Sequence, residues 1–170
     1  MRPPHIFQFI ATIAMLFLNQ AINANPKFIN QEGPGLQISS TLMYNEERVP
    51  DYQLIIYDEN QLTDTIFVAK AKPVFLKLSY GHNYSIRYIK QGFHERVVMI
   101  DTRVCTAKQN KMSDFDFEIE MIPTYKNGNT LYGLPVALIN YDYTDNKFEY
   151  SRNYHRQVRG KEIKEIDIDN

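Results

Sequence analysis

Tryptophan is absent from the 170 residues, and cysteine occurs once, at Cys105. One thiol excludes an intramolecular disulfide, so stability must come from a core rather than from the cross-links that staple small secreted domains. It also excludes a CxxC metal site. Basic residues are in no excess. Nineteen Lys and Arg against 20 Asp and Glu leave a net charge of −1, which argues against a nucleic-acid binder, whose affinity rests on neutralising phosphates. No apolar run is long enough for an ordinary membrane span of roughly 20 residues. The longest, Ile6 to Leu18, covers about 13 and is interrupted by Gln8 and Thr12.

That short run has a different meaning. Arg2 supplies a positive start, the apolar stretch follows, and the small residues Ala21 and Ala24 close it. This order predicts a secretory signal peptide over 1–24, cleaved after Ala24, with a leader over 25–34. No cysteine stands at the predicted cleavage point, so a lipoprotein anchor is not expected. The mature chain is expected to be exported to a periplasm, an outer membrane or the medium, and to be soluble or held at a membrane only through partners.

What the chain has is β-forming residues. Hydrophobic side chains make up 44%, and the aromatics are 12 Tyr and 10 Phe, types that suit a pleated surface. The organising stretch runs from Pro73 to Arg103. Val74, Leu76 and Leu78 alternate with Phe75, Lys77 and Ser79. After the turn at Tyr80-Gly81-His82-Asn83, Tyr84, Ile86 and Tyr88 alternate with Ser85 and Arg87. Lys90-Gln91-Gly92-Phe93 makes a second turn before the run Arg96 to Ile100. Period-2 spacing bounded by Gly and Asn predicts three half-buried strands joined as a meander, with Gly81 and Gly92 at positive φ.

Around it, strands are predicted at Leu36 to Tyr44, from Val49-Pro50 through Tyr52 to Tyr57, at Thr65 to Ala69 and at Phe115 to Met121. The near-continuous Leu54-Ile55-Ile56 marks a central strand. Asn45 to Arg48 and Asp58 to Asn60 read as turns, and Thr102 to Ser113 as a polar loop. The alternation of Phe115, Phe117, Ile119 and Met121 with Asp116, Glu118 and Glu120 gives one core face and one acidic, solvated face. The expected fold is all-β, a seven-stranded antiparallel β-sandwich over 35–123. A C-terminal extension over 124–170 adds a hairpin (Val136 to Tyr141 and Lys147 to Tyr150), a short helix capped by Ser151 that runs to about Val158 and is stopped by Gly160, and a charged tail.

These pieces carry a resemblance. Leu54-Ile55-Ile56-Tyr57-Asp58, Phe75-Leu76-Lys77-Leu78, Tyr80-Gly81-His82-Asn83-Tyr84-Ser85-Ile86, Lys90-Gln91-Gly92-Phe93, Ile100-Asp101-Thr102-Arg103 and Phe115-Asp116-Phe117-Glu118-Ile119 follow in the order typical of one family. Over Gly35 to Pro123 the chain resembles the carboxypeptidase-regulatory-like domain, a transthyretin-like sandwich common in exported proteins of Bacteroidota. Two departures stand out: Lys70-Ala71-Lys72-Pro73 replaces the family's usual Gly-containing turn, and Phe93 replaces a Tyr. The resemblance implies a non-catalytic module that binds or braces another envelope component, most simply a protein. The hydrolase that shares the transthyretin scaffold ends in Tyr-Arg-Gly-Ser; this chain ends Ile166-Asp167-Ile168-Asp169-Asn170, so that activity is not expected.

Residues that could carry chemistry are few. His82, His94 and His155 lack the spacing of a zinc motif. Cys105, with Arg103 and Lys108 near in sequence, would be a nucleophile only if a histidine converged on it. Asp58-Glu59-Asn60 and Asp142, Asp145 and Asn146 offer oxygen ligands for calcium but are also default turn residues. Asn83-Tyr84-Ser85 is a formal glycosylation sequon. No catalytic residue, cofactor or metal is therefore predicted. The candidate partner-binding residues are Tyr125, Tyr132, Tyr141, Tyr143, Tyr150 and Tyr154, because tyrosine supplies contact area at low entropic cost. The competing reading is that these rings cover an open edge of the sandwich. A glycan or small ligand is the alternative partner, weakened by the lack of tryptophan.

Overall fold

The computed structural model describes residues 33–109, 111–125 and 134–157. Ten strands follow in order: β1 (Gly35–Tyr44), β2 (Glu47–Arg48), β3 (Tyr52–Asp58), β4 (Gln61–Val68), β5 (Val74–Ser79), β6 (Asn83–Ile89), β7 (Arg96–Asp101), β8 (Ser113–Glu120), β9 (Ala137–Asp142) and β10 (Lys147–Tyr150). A helix occupies 152–157. The strands form two sheets, one of β8, β1, β5 and β2, the other ordered β10-β9-β7-β6-β3-β4. The molecule is an all-β sandwich, as the patterning predicts. No helix of the described residues is long and apolar enough to cross a membrane.

The alternation places the core where expected. Leu36, Ile38 and Leu42 of β1, Leu54 and Ile56 of β3, Val74, Leu76 and Leu78 of β5, Ile86 of β6 and Val98 and Ile100 of β7 are all buried. They meet between the sheets because residues two apart share a face. Tyr52, Tyr84 and Tyr88 are nearly inaccessible in the same layer. Burial pushes the Tyr52 hydroxyl up to about 12 and raises Tyr88 further, since a phenolate there would lose its hydration.

Four expectations are corrected. The meander does not exist as such: β6 pairs with β3 and β7, while β5 pairs with β1 in the opposite sheet. Alternation reports which face of a strand is buried, not which strand lies beside it. The Tyr80-Gly81-His82 connection is an arch between sheets, with Gly81 at φ 92°. Secondly, the sheets are not wholly antiparallel. β8 runs parallel to β1, and β9 parallel to β7. Such pairs join segments distant in sequence, so no hairpin signal announces them. Thirdly, the second strand does not begin at Val49-Pro50. Asn45 and Glu46 alone form the turn, at φ 50° and 66°, and Glu47 and Arg48 pair back onto β1. Fourthly, β4 begins at Gln61 rather than Thr65. Glu59 and Asn60, at φ 47° and 68°, make a tight two-residue turn that lets pairing resume at once.

The C-terminal hairpin is part of the second sheet. β9 pairs with β7, and Ile139, Tyr141 and Phe148 enter the core. Phe148 stacks on Tyr80 with ring centroids 6.3 Å apart. Ser151 caps the helix, its Oγ accepting the Tyr154 N–H at 3.4 Å; the predicted helix end at Val158, with its stop at Gly160, lies outside the described residues.

The sandwich thus has two distinct ends. At the arch end, where β5 passes to β6, buried Thr102 ties the sheets together. Its N–H donates to His82 O at 2.9 Å, and its carbonyl accepts from Gly81 N–H at 3.1 Å. Its hydroxyl accepts from His82 N–H at 3.1 Å and lies 2.7 Å from the Ser79 carbonyl that it can donate to. Gly35 also sits here, and a Cβ on it would stand 2.3 Å from the Leu78 carbonyl oxygen. At the other end lie Arg96, Glu120 and the Gly92 turn.

Candidate functional site

That second end holds an apolar, half-open groove of about 370 Å³, within the size range of sites that enclose small ligands or side chains. One wall is the second half of β8, where Phe117 and Ile119 turn inward. The floor is Arg96 and Val98 of β7 with Val136 and Ala137 leading into β9. The far wall is Tyr150 and the helix, through Tyr154 and His155. Arg96 faces inward because β7 buries its even-numbered residues, Val98 and Ile100. Tyr154 donates its hydroxyl to the Pro135 carbonyl, which fixes the helix against the start of β9. Burial first, and the Glu118 carboxylate after it, raise the Tyr150 hydroxyl above its ordinary value.

The groove exists because β8 is an edge strand. Among the described residues β8 pairs with β1 alone. Near its start, Phe115 packs edge-on against Tyr150 with centroids 5.3 Å apart. From Phe117 onward the groove lies between β8 and the segment from Tyr150 into the helix.

The six candidate tyrosines do not form one surface. Tyr150 and Tyr154 line the groove. Tyr141 is a correction: it is buried, packed edge-on between Phe148 and Tyr143, so its ring serves the core and is not available as contact surface. Tyr143 is exposed above it. Tyr125 is exposed elsewhere, its hydroxyl 3.3 Å from that of Tyr44. Tyr132 lies outside the described residues.

The other chemistry-bearing residues are dispersed. His82 bonds Asp58 through Nδ1 at 2.8 Å at the arch end, while His94 follows the far end of β6, a strand of seven residues or about 20 Å, and His155 lines the groove. Glu59 accepts the Asn83 N–H at 3.0 Å, so the Asp58-Glu59 pair is engaged in hydrogen bonds. Asn83 of the sequon opens the paired strand β6, and Tyr84 after it is buried. Cys105 is exposed. Arg103 turns to Asp101, with Nε 2.8 Å from its Oδ1; this holds the Asp101 carboxyl below its ordinary value and draws the cation away from the thiol.

Asp142, Asp145 and Glu149 bring carboxylate oxygens within 4.8 Å of one another. Asp142 accepts the N–H groups of Thr144 and Asp145 at 2.6 and 3.2 Å, which lowers its pKa and builds the β9–β10 turn. Arg152 and Lys147 both lie within ion-pair distance of Asp145 and Glu149.

No family model matches this chain, and no curated protein does. A solved structure of 3-chlorocatechol 1,2-dioxygenase from Rhodococcus opacus is similar over 58% of this chain and 63% of the enzyme's, at 7% identity and a TM-score of 0.39. The groove was not legible in the sequence. Its one signal was the clean alternation of β8, which foretells an inward apolar row but not that the strand stands at an edge.

Proposed function

We propose that the chain is a non-catalytic, exported β-sandwich of the carboxypeptidase-regulatory-like kind that binds or braces another component of a cell envelope. The observation that carries this reading is the apolar groove beside the unpaired margin of β8. A half-open apolar cleft with an unused strand edge suits a docked partner, because it offers buried area and backbone hydrogen bonds together. The signal-peptide pattern over 1–24 and the family resemblance supply the exported setting.

Mild cross-linking of the native envelope fraction, followed by mass spectrometry, tests it. One dominant protein partner is expected, linked through lysines that map the contact face. The mature protein free in the soluble fraction, with no partner, would overturn it. The native N-terminus should be Asn25; an intact Met1 would remove the export part of the reading.

A further inference from the structure

Resting on that reading, we infer that the partner docks as an extended polypeptide strand on the free edge of β8, with alternate apolar side chains in the groove and basic side chains between them on the outer face. Three features lead there.

The first is the backbone. Met121 donates its N–H to the Met43 carbonyl on β1 at 2.8 Å. Backbone groups of successive strand residues point to opposite sides, so the N–H and C=O groups of Glu118 and Glu120 point away from β1, toward the open margin. They are a pairing template for an added strand.

The second is the groove behind that edge. A strand laid along Phe117 to Glu120 would aim every second side chain into the groove, past the largely buried Phe117 and Ile119 and toward the half-buried Val136, Ala137 and Tyr154. Arg96 lies on the floor, where its stem can pack against an apolar side chain.

The third is charge. The outward row of β8 is Asp114, Asp116, Glu118 and Glu120, all exposed; Glu120 Oε1 accepts the Asn45 N–H at 3.1 Å, and the ion pairs at Glu95, Asp101, Asp145 and Glu149 lie elsewhere. An added strand would set its outward side chains beside this row, where opposite charges stabilise and like charges oppose pairing. This selects the occupant. A second copy pairing through its own β8 would bring acid against acid. The alternation Ile166-Asp167-Ile168-Asp169 in this chain's own C-terminal sequence would do the same. A foreign strand alternating apolar and basic residues meets neither objection.

The test titrates the full mature protein with two synthetic peptides, one alternating valine with lysine and one alternating valine with glutamate, followed by amide NMR shifts. The valine–lysine peptide should bind, move the amides of Phe117 to Glu120, and weaken as salt rises. The valine–glutamate peptide should bind on the order of tenfold more weakly or not at all, the sum of a few rim charges. The variants address backbone and charge. Glu118→Pro removes an outward-facing donor, at a position where an edge strand tolerates proline, and with it one carboxylate; Glu118→Gln removes the carboxylate alone. Both should melt as folded proteins, and only the proline variant should lose the peptide. Asp116→Lys with Glu118→Lys should reverse the preference between the peptides. Absence of valine–lysine binding, or binding unchanged in the folded Glu118→Pro protein, overturns the inference while a cross-linked partner would still uphold the envelope-binding reading. Peptide binding without any envelope partner would uphold the strand site and overturn that reading.

Discussion

The arch end and the groove end of this sandwich are built from the same strands but closed by different means. At the arch end Thr102 places its N–H, carbonyl and hydroxyl among the backbone groups of Ser79, Gly81 and His82, and Phe148 lies flat on Tyr80 above them. At the groove end Phe117 and Ile119 stand beside a cleft between β8 and the segment from Tyr150 into the helix. The core behind that cleft holds the hydroxyls of Tyr52, Tyr88 and Ser40, none of which reaches hydrogen-bond geometry with a described residue. Ser40 and Tyr88 stand close enough to influence one another. The difference separates an end organised for stability from an end that keeps an opening.

Substitutions can break or sharpen that contrast. The largest effect belongs to Phe148→Ala at the arch end, which empties a buried site under Tyr80 and Tyr141. It should cost about 3–5 kcal/mol, measured by denaturant unfolding. A change under 1 kcal/mol would show that the hairpin is not part of the cooperative core. Next comes Thr102→Val, which keeps the shape but strands the His82 N–H and Ser79 carbonyl; the expected loss is about 1–3 kcal/mol, with Thr102→Ser recovering most of it. Equal melting of the Val and Ser variants would remove the hydroxyl from the account.

A third prediction concerns pH at the groove end. Tyr52 ionises near 10 when unfolded and near 12 when folded. Because the folded value is the higher, the stability tied to its protonated form is complete below pH 10 and is lost as pH rises toward 12. Tyr52→Phe has no proton to lose, so its melting temperature should fall less steeply across that window than the wild type's; parallel curves would refute the assignment. The smallest effect is that of Glu118→Gln, which should shift stability by no more than about 0.5 kcal/mol, because its carboxylate sits on an exposed face. A larger loss would make the acidic row part of the fold rather than of a binding surface.

Much of the local structure was readable. Alternation at Val74, Leu76 and Leu78 and at Tyr84, Ile86 and Tyr88 foretold the buried faces, and Gly81 and Gly92 foretold their turns at φ 92° and 84°. These are properties of a few adjacent residues, where backbone sterics and a two-residue period act directly. The tyrosines show where such reading ends. Tyr141 and Tyr143 stand two positions apart, yet one is core and the other surface: Tyr141 is on β9 opposite Phe148, whereas Tyr143 falls just past the strand in the turn. Thr102 stood in a stretch that reads as a polar loop, and nothing nearby signals that its hydroxyl meets Ser79.

By itself, then, the amino-acid sequence determined the all-β class, most strand faces, the turns that need a left-handed backbone, and a core that no disulfide supports. Tertiary structure alone decided that β5 leaves β6 for the opposite sheet, that β8 and β9 each lie parallel to a distant strand, and that β8 stands at an edge with a groove behind it. The physical reason is the range of the forces involved. Turn sterics and strand alternation act over a few residues, whereas strand order, and with it which strand stands at an edge among the described residues, is settled by which apolar faces pack together across the fold.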